Sequence, residues 1–257
     1  FRREKKKWST EMKEVNIALV ENDIMAYEMF PRNEIDYFGE PFYSIPFDRL
    51  EQVNTLPEKL VFPSTRYWYI SIPNETNEKI FEKAELRKLM YAVSDPEFMG
   101  KVIIENNSPS IFEHPHPSSE VLNKAKEDFE KLNIKFSETP YIAYFSADKL
   151  LEKKLLLSTV KEWVGNFKIP IRVSSSTDSP ITFKIENYLV GTNNKNDLYH
   201  YINYKYNTKI KTDEEFLNSL VVIPLLQEYN TVLSRSSVRG LNLTPSGDLY
   251  LKYINMQ

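Results

Sequence analysis

The stretch that decides the fold is Arg66-Tyr67-Trp68-Tyr69-Ile70-Ser71-Ile72, the end of a run of β-branched and aromatic residues at positions 59–72. Residues of these types favour a β-strand. After Phe81 the apolar residues recur at helical spacing instead, which places one apolar stripe on an amphipathic helix: Leu86, Leu89, Met90 and Val93. The centre of the chain is therefore predicted to be a strand followed by a helix.

The alternation of strands and helices extends in both directions from this centre. Apolar spacing predicts further helices at residues 24–29, 119–132, 151–163 and 180–189, the last ending at Gly191. Further strands are predicted at residues 13–20, 141–145, 169–173, 199–202 and 221–226. Strands that alternate with helices of this length indicate an α/β fold with a mostly parallel or mixed sheet.

The composition of the 257 residues limits the function classes. The formal net charge is -3, so no basic field would recruit nucleic acid, and the basic run at residues 2–7 is interpreted as a solvated terminus. The chain contains no cysteine, which excludes disulfides and Cys-based zinc sites. No apolar run approaches the length of about 20 residues that a membrane helix needs.

The sequence offers few candidates for catalytic or metal-binding residues. His114-Pro115-His116 is the clearest metal candidate, but no further ligands are spaced as in a zinc motif, and an exposed proline loop is the favoured interpretation. Neither a serine-nucleophile elbow nor a glycine-rich phosphate loop is present. We therefore predict no metal, no cofactor and no enzyme activity. A hydrolase with paired carboxylates remains the third candidate, since catalytic carboxylates need not be close in the sequence.

The aromatic residues, among them 16 Tyr and 15 Phe, provide the main indication of a binding function. Tyr67 and Tyr69 face one side of the predicted strand and Trp68 faces the other. One of these sides is expected to be core, while the other could line a ligand cleft. The alternative, in which helices cover both sides, stays open.

Several segments, in this order, resemble the oligopeptide and dipeptide solute-binding proteins of ABC importers. Residues 20–36 resemble the family's V-x-D-x-x-x-A-x-x-x-x-x-G-E-I-D stretch, with Ala26 and Glu34-Ile35-Asp36 in place and Asn33 instead of Gly. Other similar segments are the Trp8 region, the aromatic strand at residues 67–72, the helices at residues 81–95 and 125–132, the helix and strand at residues 155–172, Val222-Ile223-Pro224-Leu225, and Val238-Arg239-Gly240-Leu241.

The resemblance implies a lobe of the two-lobed, type II periplasmic-binding-protein-like fold of the peptide-binding cluster. Residues 1–220 would form the α/β domain of the second lobe, and residues 221–257 would form closing strands and a tail that return towards the first lobe. The first lobe is expected upstream, in line with Phe instead of Met at position 1. The implied partners are a peptide or other small ligand and an ABC permease. The implied location is extracytoplasmic, as a periplasmic protein or a membrane-anchored lipoprotein.

By position, the resemblance predicts four ligand-binding residues: Trp68, Ile70, Gln227 and Glu228. The Glu228 carboxylate could pair with a ligand ammonium, although a surface salt bridge is the favoured alternative. The Asp that anchors the ligand's amino terminus in the family has no counterpart in the shortened region at residues 191–221. A rival interpretation is therefore a divergent member that lost transport binding and acts as a surface interaction protein.

Overall fold

The computed structural model describes residues 14–73, 79–106, 108–114, 117–190 and 194–256. Its helices are α1 (Asp23–Met29), α2 (Leu50–Asn54), α3 (Ala84–Val93), α4 (Pro96–Phe98), α5 (Ser119–Lys131), α6 (Leu150–Phe167), α7 (Lys195–Tyr206) and α8 (Asp213–Ser219). Its strands are β1 (Tyr37–Phe38), β2 (Lys59–Ser71), β3 (Tyr141–Tyr144), β4 (Ile171–Ser174), β5 (Ile181–Leu189), β6 (Val222–Ser234), β7 (Val238–Arg239) and β8 (Asn255–Met256).

The chain divides into two compact units. Unit 1 consists of Phe1–Ser64 and Tyr229–Gln257, and unit 2 consists of Thr65–Glu228. Strands β2 and β6 each continue from one unit into the other. The boundary predicted at residues 220 and 221 falls inside unit 2, immediately before β6 begins.

Unit 2 is an α/β structure with a mixed sheet and a large core. Strand β5 pairs antiparallel with β2 and parallel with β3, which in turn pairs parallel with β4. Aromatic rings fill the core: the ring centroids of Phe81 and Phe183 lie 4.7 Å apart, and those of Trp163 and Phe183 lie 5.3 Å apart. The Trp163 indole Nε1 donates a hydrogen bond of 2.9 Å to the carbonyl oxygen of Met90, so this buried polar group has a partner.

Unit 1 is smaller and has a much smaller core. Asn22 caps the start of helix α1: its side-chain oxygen accepts a hydrogen bond of 2.9 Å from the backbone N–H of Met25. Strand β1 pairs antiparallel with the end of β6, and β7 pairs antiparallel with β8. The buried hydrophobic cluster of unit 1 consists of Ala26, Tyr27, Phe30, Phe38, Val53 and Leu233.

Most predicted elements are confirmed. The strand expected at residues 59–72 is β2, and the helix after Phe81 is α3. The helices expected at residues 24–29, 119–132 and 151–163 correspond to α1, α5 and α6, and the strands expected at residues 141–145, 169–173 and 221–226 correspond to β3, β4 and part of β6. Within the described ranges, no helix combines the length and the apolar character needed to cross a membrane.

Three predicted elements are wrong. Residues 180–189 form strand β5 and no helix, because Ile181, Phe183 and Ile185 alternate with polar residues and the segment pairs along β2. Residues 199–202 lie inside helix α7, whose buried face is formed by Leu198, Tyr199 and Ile202. Residues 14–20 form no strand. The Trp8 region, the basic run at residues 2–7, residue 13, His116 and Gly191 lie outside the described residues.

Candidate ligand-binding site

A cluster of polar and aromatic side chains lies on β2, β5 and β6, with members close to both ends of the chain segment that forms unit 2. The Trp68 indole Nε1 donates a hydrogen bond of 2.7 Å to Oε2 of Glu228. The same carboxylate oxygen lies 3.6 Å from Nε of Arg66, and both of these side chains are partly exposed. Arg66 Nη1 also lies 3.4 Å from the side-chain oxygen of Asn187. The four side chains of Arg66, Trp68, Asn187 and Glu228 form what we call the Glu228 cluster.

The strands hold the members of the Glu228 cluster in position. Trp68 is the cross-strand partner of Asn187 in the β2–β5 pair, and Arg66 is two residues earlier on the same face of β2. On β6, the backbone N–H of Gln227 donates a hydrogen bond of 2.8 Å to the carbonyl oxygen of Pro109. Backbone pairing therefore sets the position of the Glu228 side chain, independently of any ligand.

The structure brings three of the four predicted site residues to neighbouring positions. Trp68 and Glu228 are hydrogen-bonded to each other, and Gln227 precedes Glu228 and is half-buried. Ile70 has an exposed fraction of 0% and lies in the large core of unit 2, to which Trp68 also belongs. Trp68 itself is only 5% exposed, and Tyr67 and Tyr69 on the opposite face are 2% and 1% exposed, so both faces of this part of β2 are buried. That arrangement is the alternative that the sequence left open.

The chemistry of the Glu228 cluster is that of a half-buried carboxylate that accepts a hydrogen bond from Trp68 and lies at ion-pair distance from Arg66. A carboxylate that accepts a charge-assisted hydrogen bond is held more strongly than a fully exposed one. Its Arg66 partner carries a forked guanidinium that is also suited to ligand carboxylates. The cluster thus presents one negative and one positive group together, beside an indole ring.

A second cluster of titratable side chains lies on α7 and β5. Lys205 Nζ lies 2.7 Å from Oε2 of Glu186 and 5.6 Å from the ring centroid of Tyr201. The hydroxyl groups of Tyr201 and Tyr69 are 3.1 Å apart, and the rings of Tyr201 and Tyr188 stack with centroids 3.5 Å apart. Titratable groups that lie close together are one sign of a catalytic site. Whether these groups could transfer a proton depends on their protonation states.

In this second cluster, the pKa of each of the three groups is shifted further from neutral pH. Burial, together with the hydrogen bond to Tyr201, raises the pKa of the Tyr69 phenol. Burial lowers the pKa of Lys205, but the hydrogen bond and charge of Glu186 outweigh it, and the net shift is upward. Burial raises the pKa of Glu186, while the hydrogen bonds from Lys205 and Ser71 lower it by more. The lysine and glutamate therefore stay charged and the tyrosine stays neutral, which suits an ion pair better than proton transfer.

The predicted metal candidate His114 takes part in packing. Its Nε2 lies 2.7 Å from the carbonyl oxygen of Tyr91, and its ring meets the Tyr91 ring edge-on at 4.4 Å. It lines a small pocket of about 250 Å³ together with Asp95, Lys101 and Ser110. Across the described ranges, no group of three or more His, Cys, Asp or Glu side chains is arranged to hold a metal ion.

Arg66 and Asn187 are the site residues that sequence reasoning missed. Arg66 stands two residues before Trp68, so the period of the strand already places both side chains on one face. Asn187 carried no such signal, because it lies in the segment predicted as a helix. Its place opposite Trp68 depends on the register between β2 and β5.

Comparison with known proteins identifies the fold. No protein-family model and no curated protein sequence matches the chain. Three of the most similar solved structures are OppA from Haemophilus influenzae in complex with RPPGFSPFR (14% identity, TM-score 0.64), the Escherichia coli murein tripeptide binding protein MppA (11%, 0.61), and the ABC transporter substrate binding protein CtaP from Listeria monocytogenes (12%, 0.67).

The matches cover most of this chain but only part of the other proteins. They cover 92%, 90% and 93% of this chain and 57%, 56% and 59% of OppA, MppA and CtaP, respectively. The chain therefore spans less than two thirds of the length of these proteins. It has the mixed α/β fold of type II periplasmic binding proteins over that part, which confirms the predicted fold class. The structural resemblance to oligopeptide-binding proteins of ABC importers is likewise confirmed.

Proposed function

We propose that this chain is part of the solute-binding component of an ABC transporter, which captures an oligopeptide or a related small ligand and delivers it to a permease. The observation that carries the proposal is the fold shared with OppA, MppA and CtaP over at least 90% of the chain. All three are described as binding proteins, which supports a binding function over an enzymatic one.

The proposed protein has two lobes that close on the ligand by a hinge motion. Unit 2 would be the second lobe, and unit 1 would contribute to the first lobe, which an upstream part of the polypeptide would complete. This assignment moves the proposed boundary from residues 220 and 221 to the two strands that connect the units, β2 and β6. The partial coverage of the related structures supports it.

The proposed ligand contacts are centred on the Glu228 cluster. Glu228 would accept a ligand ammonium, and Gln227 beside it would hydrogen-bond to the peptide main chain. Trp68 would hold the Glu228 carboxylate through its indole N–H. Ile70 would contribute only through the core, by fixing the strand that carries Trp68. Ordered waters in roomy pockets would let the site accept varied side chains.

The proposed location is outside the cytoplasmic membrane, either in a periplasm or as a lipoprotein anchored to the membrane. A receptor that passes ligand to a membrane permease has to meet that permease on the extracytoplasmic side. The name of MppA in one related structure, a periplasmic murein tripeptide binding protein, supports this location. Fractionation of cells, with detection of the native protein, would test it directly.

Native mass spectrometry of the complete gene product, purified without added ligand, tests the function. We expect adducts that are released on denaturation and are identified as short peptides. A folded, ligand-free protein that also ignores a peptide library would contradict the proposal. That result would favour the rival interpretation, in which a divergent binding-protein fold serves as a surface interaction protein.

Substitution of Glu228 tests the proposed site. Glu228→Gln removes the charge but keeps the shape, so we expect peptide affinity to fall by about tenfold or more, as for the loss of a charge-assisted hydrogen bond. The matched control is Glu127→Gln, an exposed glutamate on α5, which should leave affinity unchanged. Equal affinities for the two variants, measured by calorimetry with the same peptide, would remove Glu228 from the site.

A further inference from the structure

One face of helix α6 exposes apolar and basic side chains together. Three apolar residues of this face, Leu150, Leu157 and Val164, have exposed fractions of 47%, 43% and 38%. Four lysines are exposed beside them: Lys153, Lys154, Lys161 and, at the C-cap of the helix, Lys168. We call these seven residues the α6 face. The opposite face of the helix is buried in the core of unit 2.

The apolar residues of the α6 face form one narrow stripe. They are seven residues apart, and seven residues fall about 20° short of two helical turns, so all three lie within an arc of about 40°. The stripe extends for about 21 Å along the helix axis. By the same spacing, Lys153 lies on one side of the stripe and Lys154 and Lys161 lie on the other. The lysines therefore flank the apolar residues on both sides.

The charges of the α6 face all have one sign. Helix α6 is described throughout and contains two acidic residues, Glu152 and Glu162, which are both half-buried. The Glu152 carboxylate accepts a hydrogen bond of 2.9 Å from the backbone N–H of Ser146. The α6 face thus carries four lysines and no exposed carboxylate, although the formal net charge of the chain is -3.

The neighbouring helix α5 has a different surface. Helix α5 packs against α6, and its exposed charges are balanced between three glutamates and three lysines: Glu120, Lys124, Lys126, Glu127, Glu130 and Lys131. Along α5, which is also described throughout, no large apolar side chain is exposed. The combination of apolar and basic side chains is therefore a property of α6 and not of the helical surface of unit 2 in general.

The spacing of the α6 face fits a lipid surface better than a partner helix. Two helices that pack along a seam need apolar residues at two positions in every seven, whereas the α6 face has one. A bilayer surface has no such requirement. Apolar side chains enter its headgroup region, while lysine stems lie along it and the ammonium groups meet the lipid phosphates. The helix is also open beside Val164, because a Cβ added at Gly165 would meet no atom within 4 Å.

We propose that the α6 face docks on the surface of an anionic phospholipid bilayer. The proposal goes beyond the proposed function and takes from it only the location outside the cytoplasmic membrane. Charge complementarity supports an anionic lipid over a neutral one, since each lysine near an anionic bilayer strengthens binding by about fivefold. The three partly exposed apolar side chains add a small buried area, so the contact is reversible.

Binding of the complete gene product, prepared without lipid modification, to vesicles tests the proposal. Vesicles with equal amounts of phosphatidylglycerol and phosphatidylcholine are compared with vesicles of phosphatidylcholine alone by co-sedimentation. We expect binding to the anionic vesicles to be tighter by about tenfold or more at about 0.1 M salt. Most of this difference should disappear at about 1 M salt, where the Debye length is about 3 Å. Equal binding to both kinds of vesicle, or binding to neither, would overturn the proposal.

Charge substitutions on two helices locate the contact. One triple variant changes three lysines of the α6 face: Lys153→Gln, Lys154→Gln and Lys161→Gln. The matched control removes the same number of charges from α5: Lys124→Gln, Lys126→Gln and Lys131→Gln. Affinity for the anionic vesicles should fall by about tenfold or more in the α6 variant and by less than about threefold in the control. Equal losses would overturn the proposal, because the attraction would then follow the net charge and not the α6 face.

An environment-sensitive fluorophore tests whether the apolar stripe meets lipid. These 257 residues contain no cysteine, so single labels can be attached at Leu157→Cys on α6 and at Asn123→Cys, an exposed control position on α5. With anionic vesicles, emission should shift to shorter wavelength at position 157 and stay unchanged at position 123. A shift at both positions or at neither contradicts docking through the α6 face.

Two further measurements separate the proposal from its rivals. Binding of polyglutamate through the same α6 lysines, without binding to vesicles, would overturn the lipid assignment and indicate an acidic protein partner. The vesicle measurements use no peptide ligand and no permease, so their outcome does not depend on the transport function. Peptide affinity, measured separately by calorimetry, should be the same for the α6 triple variant and the unchanged protein.

Discussion

Unit 1 and unit 2 differ most in where their apolar side chains lie. The hydrophobic cluster of unit 2 includes large side chains with no exposed surface, such as Trp163, Phe81 and Phe183. The cluster of unit 1 contains six buried residues, and most of the exposed large hydrophobic residues in the described part of the chain belong to this smaller unit. Apolar burial stabilises by about 25 cal/mol per Å², so burial within its own core contributes more to the stability of unit 2 than to that of unit 1.

The difference bears directly on function. In unit 2, hydrogen bonds hold Trp68, Glu228 and Gln227 on their strands, as the proposed binding site requires. Unit 1 presents large apolar side chains that are exposed to solvent.

The sharpest test of this comparison uses two leucines on one strand. Leu225 and Leu233 are both on β6, both have an exposed fraction of 0%, and they belong to the clusters of unit 2 and unit 1, respectively. We expect Leu225→Ala to lower the free energy of unfolding by about 4–5 kcal/mol and Leu233→Ala to lower it by about 2–3 kcal/mol. The reason is that the crowded core of unit 2 cannot close the cavity, whereas the small cluster of unit 1 can relax.

Hydrogen exchange with peptide-level resolution measures the two effects separately. Leu225→Ala should raise amide exchange in α3 and α6, and Leu233→Ala should raise it in α1 and β1 without changing unit 2. Leu157→Ala, at an exposed position on α6, is the control and should change stability by less than about 0.5 kcal/mol. Equal costs for the two leucines would mean that the cores do not differ in the way proposed.

The sequence predicted unit 2 better than unit 1, and the reason is physical. Strand β2 carries a run of β-branched and aromatic residues, and helices α3 and α6 bury residues at helical spacing, because all three contribute to the same large core. In unit 1, residues 14–20 show an equally clear alternation but form no strand. An alternating pattern indicates only that one face of a segment is suited to burial. It does not indicate which other part of the chain, if any, pairs with the segment and covers that face.

The errors in unit 2 have a different origin. The segment that forms β5 was predicted as a helix, although its alternation of apolar and polar residues has the period of a strand. That error also concealed Asn187, because cross-strand neighbours are known only once the register is known. The predicted contacts on β2 show a related limit. Alternation placed Trp68 and Ile70 on one face, but what covers that face depends on elements far away in the sequence, and both residues lie in the core of unit 2.

Two glycines sharpen the comparison with smaller effects of opposite sign. Gly39 in unit 1 has φ +139°, and an added Cβ would lie 2.6 Å from Cγ1 of Val232, so we expect Gly39→Ala to destabilise unit 1 by about 1–3 kcal/mol. Gly165 on α6 has no atom within 4 Å of an added Cβ, so Gly165→Ala should stabilise unit 2 by about 0.5–1 kcal/mol. Thermal and urea unfolding, followed by exchange in each unit, measure both.

The double variant Gly39→Ala, Val232→Ala separates the two causes in unit 1. It removes the closest contact, with Cγ1, but leaves Cβ of residue 232 at 2.8 Å and the backbone angle of residue 39, so part of the cost should remain. Full recovery would assign the whole effect to crowding against Val232. If Gly39→Ala alone leaves the free energy of unfolding unchanged, this part of unit 1 can shift enough to make room for the added Cβ.

The smallest effect tests whether charges contribute to the stability of unit 2. The pKa of Glu186 is lower in the folded protein, because the hydrogen bonds and charge of Lys205 and its neighbours outweigh burial. A lowered carboxyl pKa stabilises the fold above the unfolded value of about 4.3, and that stabilisation is lost as the pH falls through the folded value. Glu186→Gln should therefore cost at most about 1 kcal/mol at pH 7 and less at pH 3, whereas the exposed control Glu127→Gln should cost little at either pH. A cost at pH 7 comparable with that of Leu225→Ala would break the comparison, because the greater stability of unit 2 would then come from its ion pairs as much as from its core.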